Sequence, residues 1–81
     1  MIEKLYVIVA DNNGTEGICA HSAEEPGGGL YLQAVTSRRH LIAPMLRAVS
    51  ESLQATGKGH LPLKVLEFSG RLNITEEIEH E

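Results

Sequence analysis

Six consecutive apolar residues, Leu5 to Ala10, constrain this chain more than any other feature. The run is β-branched and aromatic, so it reads as a strand. It is far shorter than the roughly 20 residues a membrane span requires. A strand with one wet face alternates apolar and polar residues, and this one does not. Leu5, Val7 and Val9 point one way; Tyr6, Ile8 and Ala10 point the other. A later stretch, Pro62 to Phe68, repeats the theme, with Leu63 and Val65 on one face and Leu66 and Phe68 on the other. Both faces of such a sheet seek cover.

The chain has 81 residues, enough for one small domain. Turn signals divide it. Asn13-Gly14 supplies the positive φ values of a tight hairpin, with Gly17 to Ser22 as the returning strand. That hairpin sets Asn12 opposite Thr15 and Asp11 opposite Glu16. Facing carboxylates carry a small cost, so a wider loop competes with it. Glu24 to Gly29 forms a second loop, and Leu30 to Val35 a third strand. Thr36 or Ser37 is a suitable helix N-cap. Ile42, Met45, Leu46, Val49 and Leu53 then fall on one helical face, and Gly57 stands where a helix C-terminal glycine belongs. Pro44 either kinks this helix or begins it after a separate turn over residues 38–43. Asn73 and Glu76 have the spacing of a capping pattern for a short helix. The acidic tail over 76–81 is expected to be frayed.

The order β-β-β-α-β predicts a single α+β domain over residues 1–81. It is a mostly antiparallel sheet of about four strands with one main helix on one face. A single helix covers one face, so the other is expected to be covered by a second copy in a homo-oligomer, a dimer or larger. At roughly 25 cal/mol per Å2, a few such side chains contribute several kcal/mol, comparable with the stability of a small domain. The competing reading folds the glycine loop or the C-terminal segment over that face.

Charge and composition exclude several functions. A net charge of −4 opposes general affinity for nucleic acid polymers. The opening residues lack a basic region followed by a long apolar stretch, so a cytoplasmic location without membrane attachment is expected. One cysteine, Cys19, makes neither an internal disulfide nor a cysteine-based zinc site.

The residues that carry chemistry are few. Ser37, Arg38, Arg39 and His40 cluster at the predicted helix start, where free backbone N–H groups and the helix dipole favour an anion such as phosphate. Arg47 follows on the same helix. Arg71, just after the last strand, is a further candidate. The alternative is that these arginines pair with the eleven carboxylates or solubilise the surface. Gly27-Gly28-Gly29 lacks the lysine and hydroxyl of a P-loop, and no GxGxxG is present. It reads as a hairpin connection. Cys19 and His21 lie two apart on one strand face, yet nothing orients the histidine as a base, so Cys19 is expected to be buried and inert. His21, His40, His60 and His80 have no local metal-ligand spacing. No cofactor or metal is expected.

Three segments together resemble small proteins of bacteriophages and prophages: Lys4-Leu5-Tyr6-Val7-Ile8-Val9-Ala10, Glu16-Gly17-Ile18, and Lys64-Val65-Leu66-Glu67-Phe68-Ser69-Gly70-Arg71. In those proteins a hairpin opens the chain, a helix fills the middle and a strand ending in Phe-(Ser/Thr)-x-Arg closes it. The resemblance implies a non-enzymatic binding protein, one that captures a nucleotide-like immune signal or binds a host protein. The expected function is therefore capture of an anionic small molecule by an oligomer, with a protein-binding inhibitor or adaptor as the alternative.

Overall fold

The computed structural model describes residues 1–22 and 31–81. Its elements follow the expected order. β1 (Lys4–Asn12) and β2 (Thr15–Ile18) open the chain, then β3 (Ala20–Ser22), β4 (Tyr31–Gln33) and β5 (Val35–Thr36). After a 3-10 turn (Arg39–Leu41) come α1 (Ile42–Ala55), β6 (Leu63–Ser69) and α2 (Thr75–Glu79). This is the α+β layout of a small antiparallel sheet with one main helix. The Gly27–Gly29 loop lies outside the described residues.

β1 is the centre of the sheet. Along one edge it pairs antiparallel with β6, from Lys4↔Ser69 to Ala10↔Leu63. Its other edge is shared. The C-terminal half pairs with β2, and Tyr6 and Val7 pair with β5. The tight turn forms at Asn13 (φ 55) and Gly14 (φ 90), the left-handed pair a type I′ hairpin requires. Asp11 does face Glu16. Its carboxylate is relieved by the Gly14 N–H at 2.8 Å and by Lys64 at 3.2 Å.

The second and third expected strands are each divided. At Cys19 the chain leaves β1 and continues as β3, which pairs with β4 (Ala20↔Gln33). At Ala34 it returns as β5. A closed ring of backbone hydrogen bonds marks the division. Ile8 N–H donates to the Ala34 carbonyl (3.0 Å), Ala34 N–H to that of Cys19 (2.8 Å), and Cys19 N–H to that of Ile8 (3.0 Å). All three side chains point to the same side and meet Val49 of α1, forming the buried core.

The start of α1 differs from the expected one. Neither Thr36 nor Ser37 caps it: the helix begins at Ile42, with Leu41 as N-cap and no side-chain cap. Thr36 Oγ1 instead accepts from Arg38 N–H at 3.0 Å, holding the lead-in to the 3-10 turn. Pro44 is the third helical residue, in the first turn, where a missing N–H costs nothing. It therefore belongs to the helix start, after a separate turn. The C-terminus closes as expected, with Gly57 at φ 77. Gly57 N–H donates to Gln54 and Lys58 N–H to Leu53, a Schellman motif. The acidic tail is not wholly frayed: Thr75–Glu79 form the short α2, all exposed. Asn73 Oδ1 accepts from the Thr75 N–H and hydroxyl, ahead of the helix.

The two sheet faces differ. Ile8 and Ala10 face α1, with Met45, Leu46, Leu53 and Leu63 packed around them. On the other face Val7 and Val9 are buried. The register surrounds them with Leu5, Ile18, Val35 and Phe68, each more than a third exposed. The centre of this face is thus buried and its margin exposed. Among the described residues no helix is long and apolar enough to cross a membrane.

Candidate functional site

The covered face is not covered evenly. α1 lies against β3 and reaches the sheet through Val49. Its first turns overhang the start of β1 and the end of β6, where a cleft of about 430 Å3 opens. Tyr6 and Glu67, direct cross-strand partners, form its floor with Val65. Ile42, Ala43 and Leu46 of α1 form one wall, and Arg39 stands at the rim. The lining is mostly aliphatic and aromatic, with one guanidinium and one carboxylate.

Register determines the charge at the mouth. Lys4 and Glu67 lie on the same sheet face, and the Lys4 amine reaches the Glu67 carboxylate at 3.1 Å. That hydrogen bond raises the lysine pKa above its ordinary value, with the Glu67 charge adding to it and the Arg39 guanidinium opposing it. Lys4, Arg39 and Glu67 therefore sense one another. Two cations against one carboxylate leave a positive balance beside an apolar cleft, the combination that holds an anionic group attached to a flat or greasy body.

The five residues expected to bind an anion are not one cluster. Arg39 lines the cleft. Ser37, Arg38 and His40 are exposed along the approach to the helix and are not part of its lining. The reason is the 3-10 turn, which spreads consecutive residues in different directions. Arg71 lies in a neighbouring cleft of about 370 Å3 with Glu3, Lys4 and Ser69, after Gly70 at φ 91. Lys4 thus lines one cleft and pairs with the floor of the other. Lys4 and Tyr6 were not among the expected residues. Their signal was the β1–β6 register, which places both opposite β6 residues of the same face.

The remaining candidates stand apart. Cys19 is buried in the core, and burial pushes its thiol pKa up, away from a reactive thiolate. The backbone of His21 lies in β3, and its side chain is outside the described residues. Among the described residues no three His, Cys, Asp or Glu side chains group to hold a metal. No family model matches the chain, and no curated protein or solved structure matches it either.

Proposed function

We propose that this is a non-enzymatic binding protein that captures an anionic, nucleotide-like small molecule in the cleft between β1, β6 and the start of α1. The observation that carries this reading is Arg39 at the rim of an apolar cleft floored by Tyr6. An aromatic floor suits the plane of a base, and a guanidinium suits a phosphate bidentately. Glu67, held by Lys4, offers an acceptor for a base N–H. The cleft's own ionisable groups are a phenol, a guanidinium and this tethered carboxylate, a set that favours holding over turnover. In the phage-type setting that the sequence resemblance implies, such capture would remove a signal nucleotide from circulation.

Titration calorimetry with a panel of linear and cyclic nucleotides tests the proposal. Arg39 is exposed, so Arg39→Ala should leave the thermal melt unchanged. Losing one charge-assisted contact should weaken binding by roughly 10- to 100-fold. Equal affinity in Arg39→Ala, or no binding across the panel, would exclude this cleft as the site.

The open sheet face favours a second reading, in which a protein partner covers it. Leu5, Ile18, Val35 and Phe68 are exposed there around a buried pair of valines, and contiguous apolar surface of this kind marks interaction sites. A host protein bound by an inhibitor or adaptor would meet that face. Phe68→Ser would then abolish the complex while nucleotide binding persisted.

A further inference from the structure

β6 has a second edge, and the hydrogen bonding of β1 shows what that edge presents. Ile8 spends both its backbone groups on Ala34 and Cys19, on the side away from β6. Asp11 N–H donates to the Pro62 carbonyl, so the odd-numbered residues of β1 turn toward β6. Backbone direction alternates along an antiparallel pair. With Ile8 opposite Val65, it follows that Lys64, Leu66 and Phe68 bond to β1. Leu63, Val65, Glu67 and Ser69 present their N–H and C=O groups outward. No described strand pairs with that edge.

Natural sheets usually guard such an edge with free charge. Here the charges of β6 are turned inward. Lys64 is held by Asp11 at 3.2 Å and Glu67 by Lys4 at 3.1 Å. Val65, between them, is 42% exposed.

We infer that the outer edge of β6 pairs antiparallel with the β6 edge of a second copy, about a two-fold axis at Leu66, to make one continuous sheet. The inference rests on neither the ligand cleft nor the open face. Its support is that this register uses every outward group. Val65 meets Glu67 of the second copy and Leu63 meets Ser69, each pair exchanging two hydrogen bonds. Other two-fold registers do worse. Centring on Glu67 sets two carboxylates face to face. Centring on Val65 leaves Ser69 without a strand partner. The side chains also agree with the Leu66 register. Leu66 meets Leu66 on the open face, and the apolar stem of Lys64 lies across from the Phe68 ring. A foreign strand offers no reason for this self-complementarity. Edge pairing of one seven-residue strand is smaller than a standard interface, so the dimer should depend on concentration.

Sedimentation velocity over a concentration series, without ligand, tests the association. The expected result is a shift from 8.8 kDa toward twice that mass. Val65→Pro removes an outward donor that β1 does not use, so it should hold the chain as a monomer with an unchanged circular-dichroism spectrum. Should that variant misfold, Leu66→Cys reads the register independently. At the axis the two Cβ atoms are close, and mild oxidation should yield a disulfide-linked dimer. Lys64→Cys, whose copies are separated across the axis, should not cross-link. A monomer at every concentration would overturn the inference and leave the edge to a foreign strand. A dimer that survives in a folded Val65→Pro variant, or cross-links through Lys64→Cys and not Leu66→Cys, would overturn it equally.

Discussion

Ile8 and Phe68 belong to adjacent strands of one sheet, and their surroundings differ completely. Ile8 is 2% exposed, pressed between Cys19, Ala34 and the Val49 side chain of α1. Phe68, on the other face, is 56% exposed although it is the largest apolar side chain on β6. Both are apolar residues in β-strands, and local sequence does not separate them. The helix does. One amphipathic helix covers one sheet face and buries Ile8 beneath it, whereas on the other face burial falls from the central strand, where Val7 and Val9 are buried, to the edge strand that carries Phe68. The apolar residues at the margin of that face, Leu5, Ile18, Val35 and Phe68, are left to whatever else the molecule meets.

That contrast can be broken by substitution. Ile8→Ala removes a fully buried side chain at the three-strand junction and should lower stability by about 2–5 kcal/mol in chemical denaturation. Phe68→Ala should change the stability of the monomer by less than about 1 kcal/mol. A loss at Phe68 that grows with protein concentration would show that the open face is covered in the associated protein. Equal losses at the two sites in dilute solution would end the distinction between the faces.

Among the described residues each face also carries one ion pair, and pH sharpens the comparison on a smaller scale. Asp11 and Lys64 lie on the open face. The Gly14 N–H, aided by Lys64, holds the Asp11 pKa below its ordinary 3.8. A carboxylate with a depressed folded pKa stabilises fully above its unfolded value and loses that contribution as pH falls through the folded one. Lys4 and Glu67 lie on the helix side, and the Lys4 pKa is raised above 10.5. Its contribution is complete below 10.5 and disappears as pH rises through the raised value. Both pairs are solvent-exposed, so each effect should be slight. Denaturation midpoints for Asp11→Asn should merge with those of the parent chain only at the acid end. For Lys4→Met they should merge only at the alkaline end.

Much of this architecture was legible in the residues. Asn13-Gly14 announced a type I′ turn because glycine and asparagine tolerate the left-handed region. Ile42, Met45, Leu46, Val49 and Leu53 announced the buried helix stripe, and Gly57 its end. What escaped was partner exchange. Nothing in Gly17 to Ser22 or Leu30 to Val35 signals that each strand leaves one neighbour for another at Cys19 and Ala34. Strand periodicity runs unbroken through both points, and only the position of Ile8 creates the division. The helix start escaped for a different reason. Thr36 and Ser37 are good caps by residue type, but Pro44 suits a first turn, and the residues before the helix adopt a 3-10 turn. The site was half legible. Arg39 was visible as a basic residue near a helix start. Its neighbours Tyr6 and Lys4 became visible only once β6 was known to lie beside β1 in that register.

The three-way hydrogen-bond ring also bears on the order in which the chain assembles. It joins Ile8, Cys19 and Ala34, all from the first part of the sequence, whereas β6 returns to β1 only after the whole of α1. Loop-closure entropy favours joining near segments before distant ones. The ring and its helix contact should therefore precede β6, with transition-state φ-values high at Ala34 and near zero at Leu66; the reverse ranking would refute this order. Until β6 arrives, the long edge of β1 waits unpaired, so the last strand to dock is the one that decides whether a newly made chain closes on itself or on its neighbour.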